Sequence, residues 1–66
     1  MNTEFLNHLA EQLLRGNDPA CRRAIDRILM GMKERAQRDE FASQSEAERI
    51  FRDLVAVEPA CLEQES

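Results

Sequence analysis

Several residue types are scarce in this 66-residue chain. It has no tryptophan or tyrosine, three phenylalanines, and only two glycines and two prolines. Chains that stay disordered combine few apolar residues with much proline, glycine and charge. Here hydrophobic residues make up 42% of the chain. The composition therefore predicts one small folded domain, or one chain of an oligomer, and excludes a wholly disordered or low-complexity protein.

The side chains that usually carry chemistry are also scarce. His8 is the single histidine, and Cys21 and Cys61 are the only cysteines, with no C-x-x-C spacing between them. No glycine-rich phosphate loop, H-E-x-x-H or G-x-S-x-G motif is present. Since a chain of this length also has little room for a concave pocket, we predict no enzyme activity, no catalytic residue, no metal site and no cofactor.

Positive charge is not in excess, and no long apolar run occurs. The formal net charge is −4, which disfavours binding to nucleic acid or to an anionic membrane surface. No apolar run approaches the roughly 20 residues of a membrane span, and the first residues lack the basic start of a signal peptide. The expected location is the cytoplasm.

The clearest local signal is the junction Gly16-Asn17-Asp18-Pro19. Glycine can adopt the left-handed conformation that closes a helix. Aspartate is a favoured N-cap, and proline is favoured at the first helical position. The junction predicts one helix that ends near Arg15 and another that begins near Pro19. So short a connection makes the two helices neighbours.

The apolar spacing predicts an all-α fold with three helices, at about residues 3–15, 19–38 and 44–58. Apolar residues recur at steps of three and four in each segment, as on one face of a helix. Ser43 with Glu46, or Ser45 with Glu48, matches the capping box that starts a helix. Gly31 interrupts the second pattern; close approach of another helix is the favoured explanation, and a bend or break in the helix is the alternative. Residues 1–58 form the predicted domain, and residues 59–66 the predicted flexible tail.

The apolar arcs of the first and third helices are wide for a three-helix monomer. This width predicts that part of the surface is buried against another chain, most simply in a symmetric homodimer. The residues assigned to this core or dimer surface are Phe5, Leu9, Leu14, Phe51 and Leu54.

Met30 is placed almost opposite the apolar stripe of the second helix. Methionine adapts to irregular surfaces, and arginine is enriched at the centres of protein interfaces. An exposed methionine needs no special explanation, but its neighbourhood of charged residues suggests contact with a partner. The predicted partner-binding residues are Arg23, Arg27, Met30 and Glu34.

Cys21 has two interpretations, and a disulfide to Cys61 is a further possibility. It lies on the apolar stripe, which favours a packed core cysteine. It also lies in the first turn of a helix beside Arg22 and Arg23, where a thiol pKa is lowered and a reactive thiol is favoured. The expected cytoplasmic location disfavours the disulfide.

These observations favour a non-enzymatic protein-interaction module that binds a larger protein and modulates or inhibits it, as small helical regulators, anti-activators and phage-encoded inhibitors do. Two alternatives remain. One is a small dimeric DNA-associated transcriptional regulator, although the expected outer face of the third helix is slightly acidic. The other is a thiol-based redox switch through Cys21.

Overall fold

The computed structural model describes residues 2–14, 16 and 19–62. These residues form four helices and no strand: α1 (Glu4–Leu13), α2 (Pro19–Gln37), α3 (Gln44–Ala56) and the short α4 (Pro59–Leu62). The all-α class is therefore confirmed, with three long helices near the predicted positions. The fourth helix was not predicted. Pro59 does not open an irregular tail but occupies the first position of a new helical turn, where proline is well tolerated.

The start of α1 and the junction that follows it agree with the sequence signals at the described positions. The Asn2 side chain accepts a hydrogen bond from the Glu4 backbone N–H (2.9 Å), which occupies one of the unpaired donors at the helix start. The helix ends two residues earlier than predicted, at Leu13. Gly16 has a φ of +73°, the left-handed conformation expected of it. The predicted N-cap Asp18 and the predicted end at Arg15 lie outside the described residues.

A second tight connection links α2 to α3. The backbone N–H groups of Asp39 and Glu40 donate to the carbonyls of Ala36 and Arg35, both at 3.0 Å, in the pattern of a Schellman motif. Asp39 takes the left-handed position with a φ of 60°, where glycine is more common. Ser43 Oγ then accepts from the Glu46 N–H (3.2 Å), so the first of the two predicted capping boxes is the one that starts α3.

The core lies along α2, which contacts each of the other three helices. Leu6, Leu9 and Ala10 enter it from α1, and Phe41, Ala47 and Phe51 from the second connection and α3. None of the described polar or charged residues is buried, so the core is entirely apolar. The molecule is elongated, with extents of 36 × 17 × 15 Å, and α2 is the longest of its described helices, at 19 residues.

The explanation of Gly31 by close helix approach is wrong. A Cβ atom built at Gly31 would meet nothing within 4 Å, and α2 continues unbroken through it. Glycine at this position therefore relieves no steric contact and weakens the helix by about 1 kcal/mol relative to alanine.

Candidate binding face on α2

The four predicted partner-binding residues share one exposed face of α2. Arg23, Arg27, Met30 and Glu34 follow one another at steps of four, three and four, which places them on one side of a helix. All four are exposed, and 63% of Met30 is accessible to solvent. We call these four residues the α2 outer face. It carries an apolar side chain between charged ones, and none of the four belongs to the buried core or packs among its partly buried apolar neighbours.

An open groove adjoins the N-terminal half of this face. It has a volume of about 510 Å³ and is lined by Ala20, Arg23, Asp26 and Arg27 of α2 and by Ala60 of α4. The alanines leave room because their side chains are a single methyl group. Ala20, Asp26 and Ala60 were not predicted as site residues, since the groove depends on α4, and α4 was itself not predicted.

A disulfide between Cys21 and Cys61 fixes α4 beside α2. The two residues are 40 positions apart in sequence, and their Cα atoms are 4.7 Å apart. Ala20 and Ala60, which line the groove, each precede one of the two bonded cysteines. The bond therefore holds one wall of the groove against the other.

This bond corrects the predictions made for Cys21. The residue is buried, at 1% exposure, as a core cysteine would be, but its sulfur is bonded to Cys61 and is neither a free core thiol nor a reactive thiolate. The helix-start argument for a lowered thiol pKa does not apply to a sulfur in a disulfide. Two cysteines in a chain too small for a large core made this bond possible, and the expected cytoplasmic location was the wrong reason to disfavour it.

The two arginines of the groove have no acidic partner among the described residues. The described ion pairs are those of Arg35 and Arg38, whose Nε atoms lie 3.3 and 3.0 Å from the carboxylate of Glu40. Arg23 and Arg27 take part in neither pair, although Asp26 lines the same groove. Like charges four residues apart on a helix repel each other, so their placement does not stabilise the isolated chain.

The residues assigned to the core or dimer surface divide into three groups by their exposure to solvent. Leu9 and Phe51 are core residues of the single chain, whereas Phe5 and Leu14 are half-buried and pack against that core. The wide apolar arc of α1 is thus covered within the chain, because α1 contacts both α2 and α3. Leu54 is different, since 40% of it is exposed on α3.

His8 lies exposed on α1, away from the groove-lining residues. Across residues 2–14, 16 and 19–62, no three side chains of the kinds that bind metal ions converge on a common point. None of the described helices combines the length and the apolar character needed to cross a bilayer.

Comparison with protein-family models, with curated proteins and with solved structures found no match to this chain. The chemistry of its own surface must therefore support any functional conclusion. Guanidinium groups with free donors, one carboxylate, small alanine side chains and an exposed methionine can bind another molecule. The described lining of the groove contains no serine, threonine, cysteine, histidine or lysine side chain.

Proposed function

We propose that this chain is a non-enzymatic protein-interaction module that binds a larger protein through the α2 outer face and thereby modulates or inhibits it. The observation that carries the proposal is Met30, exposed on a regular helix between Arg27 and Glu34. A helical surface with anchors at steps of three and four is a common way to engage a groove on another protein.

The chemistry of this face supports the proposal in two ways. The flexible methionine side chain can fit an irregular apolar surface when it is buried on binding. Arginine adds planar donors and is over-represented among the residues that dominate binding energy. Neither property contributes to the fold, because both side chains point away from the core.

Replacing Met30 with glutamate is expected to abolish partner capture without unfolding the chain. The substitution would place a charge where the proposed interface is apolar, and its desolvation would cost several kcal/mol on binding. The measurement is crosslinking of the tagged chain in native cell extract, followed by mass spectrometry. Val57→Glu is the matched control, since Val57 is 68% exposed but is the C-cap residue of α3 and lies outside the α2 outer face. Equal capture by wild-type protein and Met30→Glu would contradict the proposal.

We further propose that two copies pair through the C-terminal half of α3. The support is a short apolar stripe, Ile50, Leu54 and Val57, at steps of four and three. Ile50 is half-buried, whereas Leu54 and Val57 are exposed, so the stripe extends from the core to the surface.

Val57→Glu is therefore expected to convert a dimer to a monomer in light scattering at micromolar concentration, because the added carboxylate would lose its water in the contact. Met30→Glu is the reciprocal control and should leave the dimer mass unchanged. A monomer mass for the wild-type chain would contradict the dimer.

A redox switch is the second candidate function, and the Cys21–Cys61 bond favours it. A dithiol reductant would convert this bond to two thiols and would itself become a disulfide. Helix α4 would then lose its covalent tie to α2. The bond is an argument against the predicted cytoplasmic location, because thiols in the cytoplasm are normally kept reduced. The DNA-associated alternative has less support, since α3 carries three acidic residues and two basic ones and would be repelled by phosphates: Glu46, Glu48 and Asp53 against Arg49 and Arg52.

A further inference from the structure

We infer that the groove between α2 and α4 binds an acidic, extended segment of the partner protein. The inference rests on the proposed function, because it names the chemistry of a partner at the same surface. Its geometric basis is the pairing of Arg23 and Arg27 across one turn of α2, over the alanines that line the groove.

The charge of the groove lining indicates that its ligand is negatively charged. The groove is lined by two arginines and one aspartate, so its lining is net positive in a chain whose formal net charge is −4. The guanidinium donors of both arginines are without an ion-pair partner among the described residues. Carboxylates are planar acceptors that match guanidinium groups in bidentate geometry.

The spacing of Arg23 and Arg27 along α2 indicates that the ligand is an extended peptide segment. Residues four apart on a helix have Cβ atoms about 5–6 Å apart. Alternate residues of an extended strand are roughly 6–7 Å apart and point the same way. Glutamates at alternate positions of an extended segment can therefore reach Arg23 and Arg27 together. The small side chains of Ala20 and Ala60 leave room for the segment's backbone and for an intervening apolar residue.

A nucleic acid fits this surface less well. Its closely spaced phosphates would also approach Asp26 in the groove and Glu34 farther along the same face. Repulsion from these carboxylates and from the acidic chain as a whole would offset the two arginine contacts. A peptide with few, spaced carboxylates avoids this repulsion.

The test is a nuclear magnetic resonance titration of the oxidised, ¹⁵N-labelled chain with an octapeptide of alternating glutamate and leucine. We expect saturable shifts centred on the backbone of Ala20 and Ala60 and on the Nε groups of Arg23 and Arg27. The same peptide with glutamine in place of glutamate should produce none of these shifts.

The variant R23Q/R27Q should weaken peptide binding at least about fivefold, because two exposed charge pairs are lost. The matched control R49Q/R52Q removes the same charge from α3 and should leave the affinity unchanged. Equal weakening by both variants, shifts centred elsewhere, or a dissociation constant above about 1 mM would overturn the inference. So would a wild-type dimer that R23Q/R27Q converts to a monomer, since the occupant would then be a second copy. If the peptide fails while Met30→Glu still abolishes capture, the proposed function stands and only this inference falls.

Discussion

Replacing Cys61 with alanine is expected to lower the free energy of unfolding by about 2–4 kcal/mol. The Cys21–Cys61 bond closes a loop over a sequence separation of 40 residues, which is more than half of the chain. In the chain-entropy account, a loop of this length restricts the unfolded state by about 4 kcal/mol at 25 °C. Since a domain of this size has a total stability of only about 3–10 kcal/mol, the loss is large.

Urea unfolding followed by circular dichroism at constant pH measures this change. Wild-type protein in a dithiol reductant should unfold near the midpoint of Cys61→Ala, because both lack the same bond. Leu62→Ala is the matched control: Leu62 is 48% exposed on the same short helix, so its truncation should cost little. Two alkylatable thiols in the unreduced native protein, or equal stability of Cys61→Ala and wild type, would refute the bond.

The helix junctions could be predicted because their signals are local. Gly16 and Pro19 fix the backbone through their own covalent structure, and Ser43 caps α3 through a bond to a residue three positions away. Each signal acts within one turn of chain. The predicted end of α1 lies two residues beyond the observed one at Leu13, since helix ends commonly shift by one or two residues.

The fourth helix and the disulfide could not be predicted by the same means. Pro59 both ends one helix and begins the next, and a four-residue turn has too few positions to show apolar periodicity. Cys21 and Cys61 meet only after α3 has returned along α2. The groove depends on that meeting, so the sequence could place Arg23 and Arg27 on one face of α2 but could not show that Ala60 of α4 lines a groove with them.

The second chain predicted from the wide apolar arcs stays a prediction, but the arc of α1 does not by itself require it. The arc of α1 is wide because two intrachain neighbours, α2 and α3, share it. Helical periodicity gives the width of an arc but not the number of partners that cover it. At the end of α3, Leu54 and the C-cap residue Val57 keep apolar side chains on the surface, as Met30 and Leu62 do elsewhere among the described residues.

Replacing Phe51 with alanine is expected to have the largest effect of any single substitution in the core, about 3–5 kcal/mol. Phe51 is fully buried and heads the set of largest fully buried side chains. It lies on α3, and α2 is the main packing neighbour of that helix. Its removal would leave a cavity where the two longest helices meet, and side chains held in regular helices collapse into such a cavity only in part.

The loss can equal the whole stability of the domain, so Phe51→Ala is best compared with two milder variants. Phe51→Leu keeps most of the buried volume and should cost no more than about 1.5 kcal/mol, a loss that leaves the chain folded. Leu54 lies three residues after Phe51 on α3, and its side chain is 40% exposed. Leu54→Ala should therefore cost less than Phe51→Ala. Chemical denaturation of the three variants should therefore place Phe51→Ala well below the other two. If Leu54→Ala were more damaging than Phe51→Ala, Phe51 would not be the centre of the core.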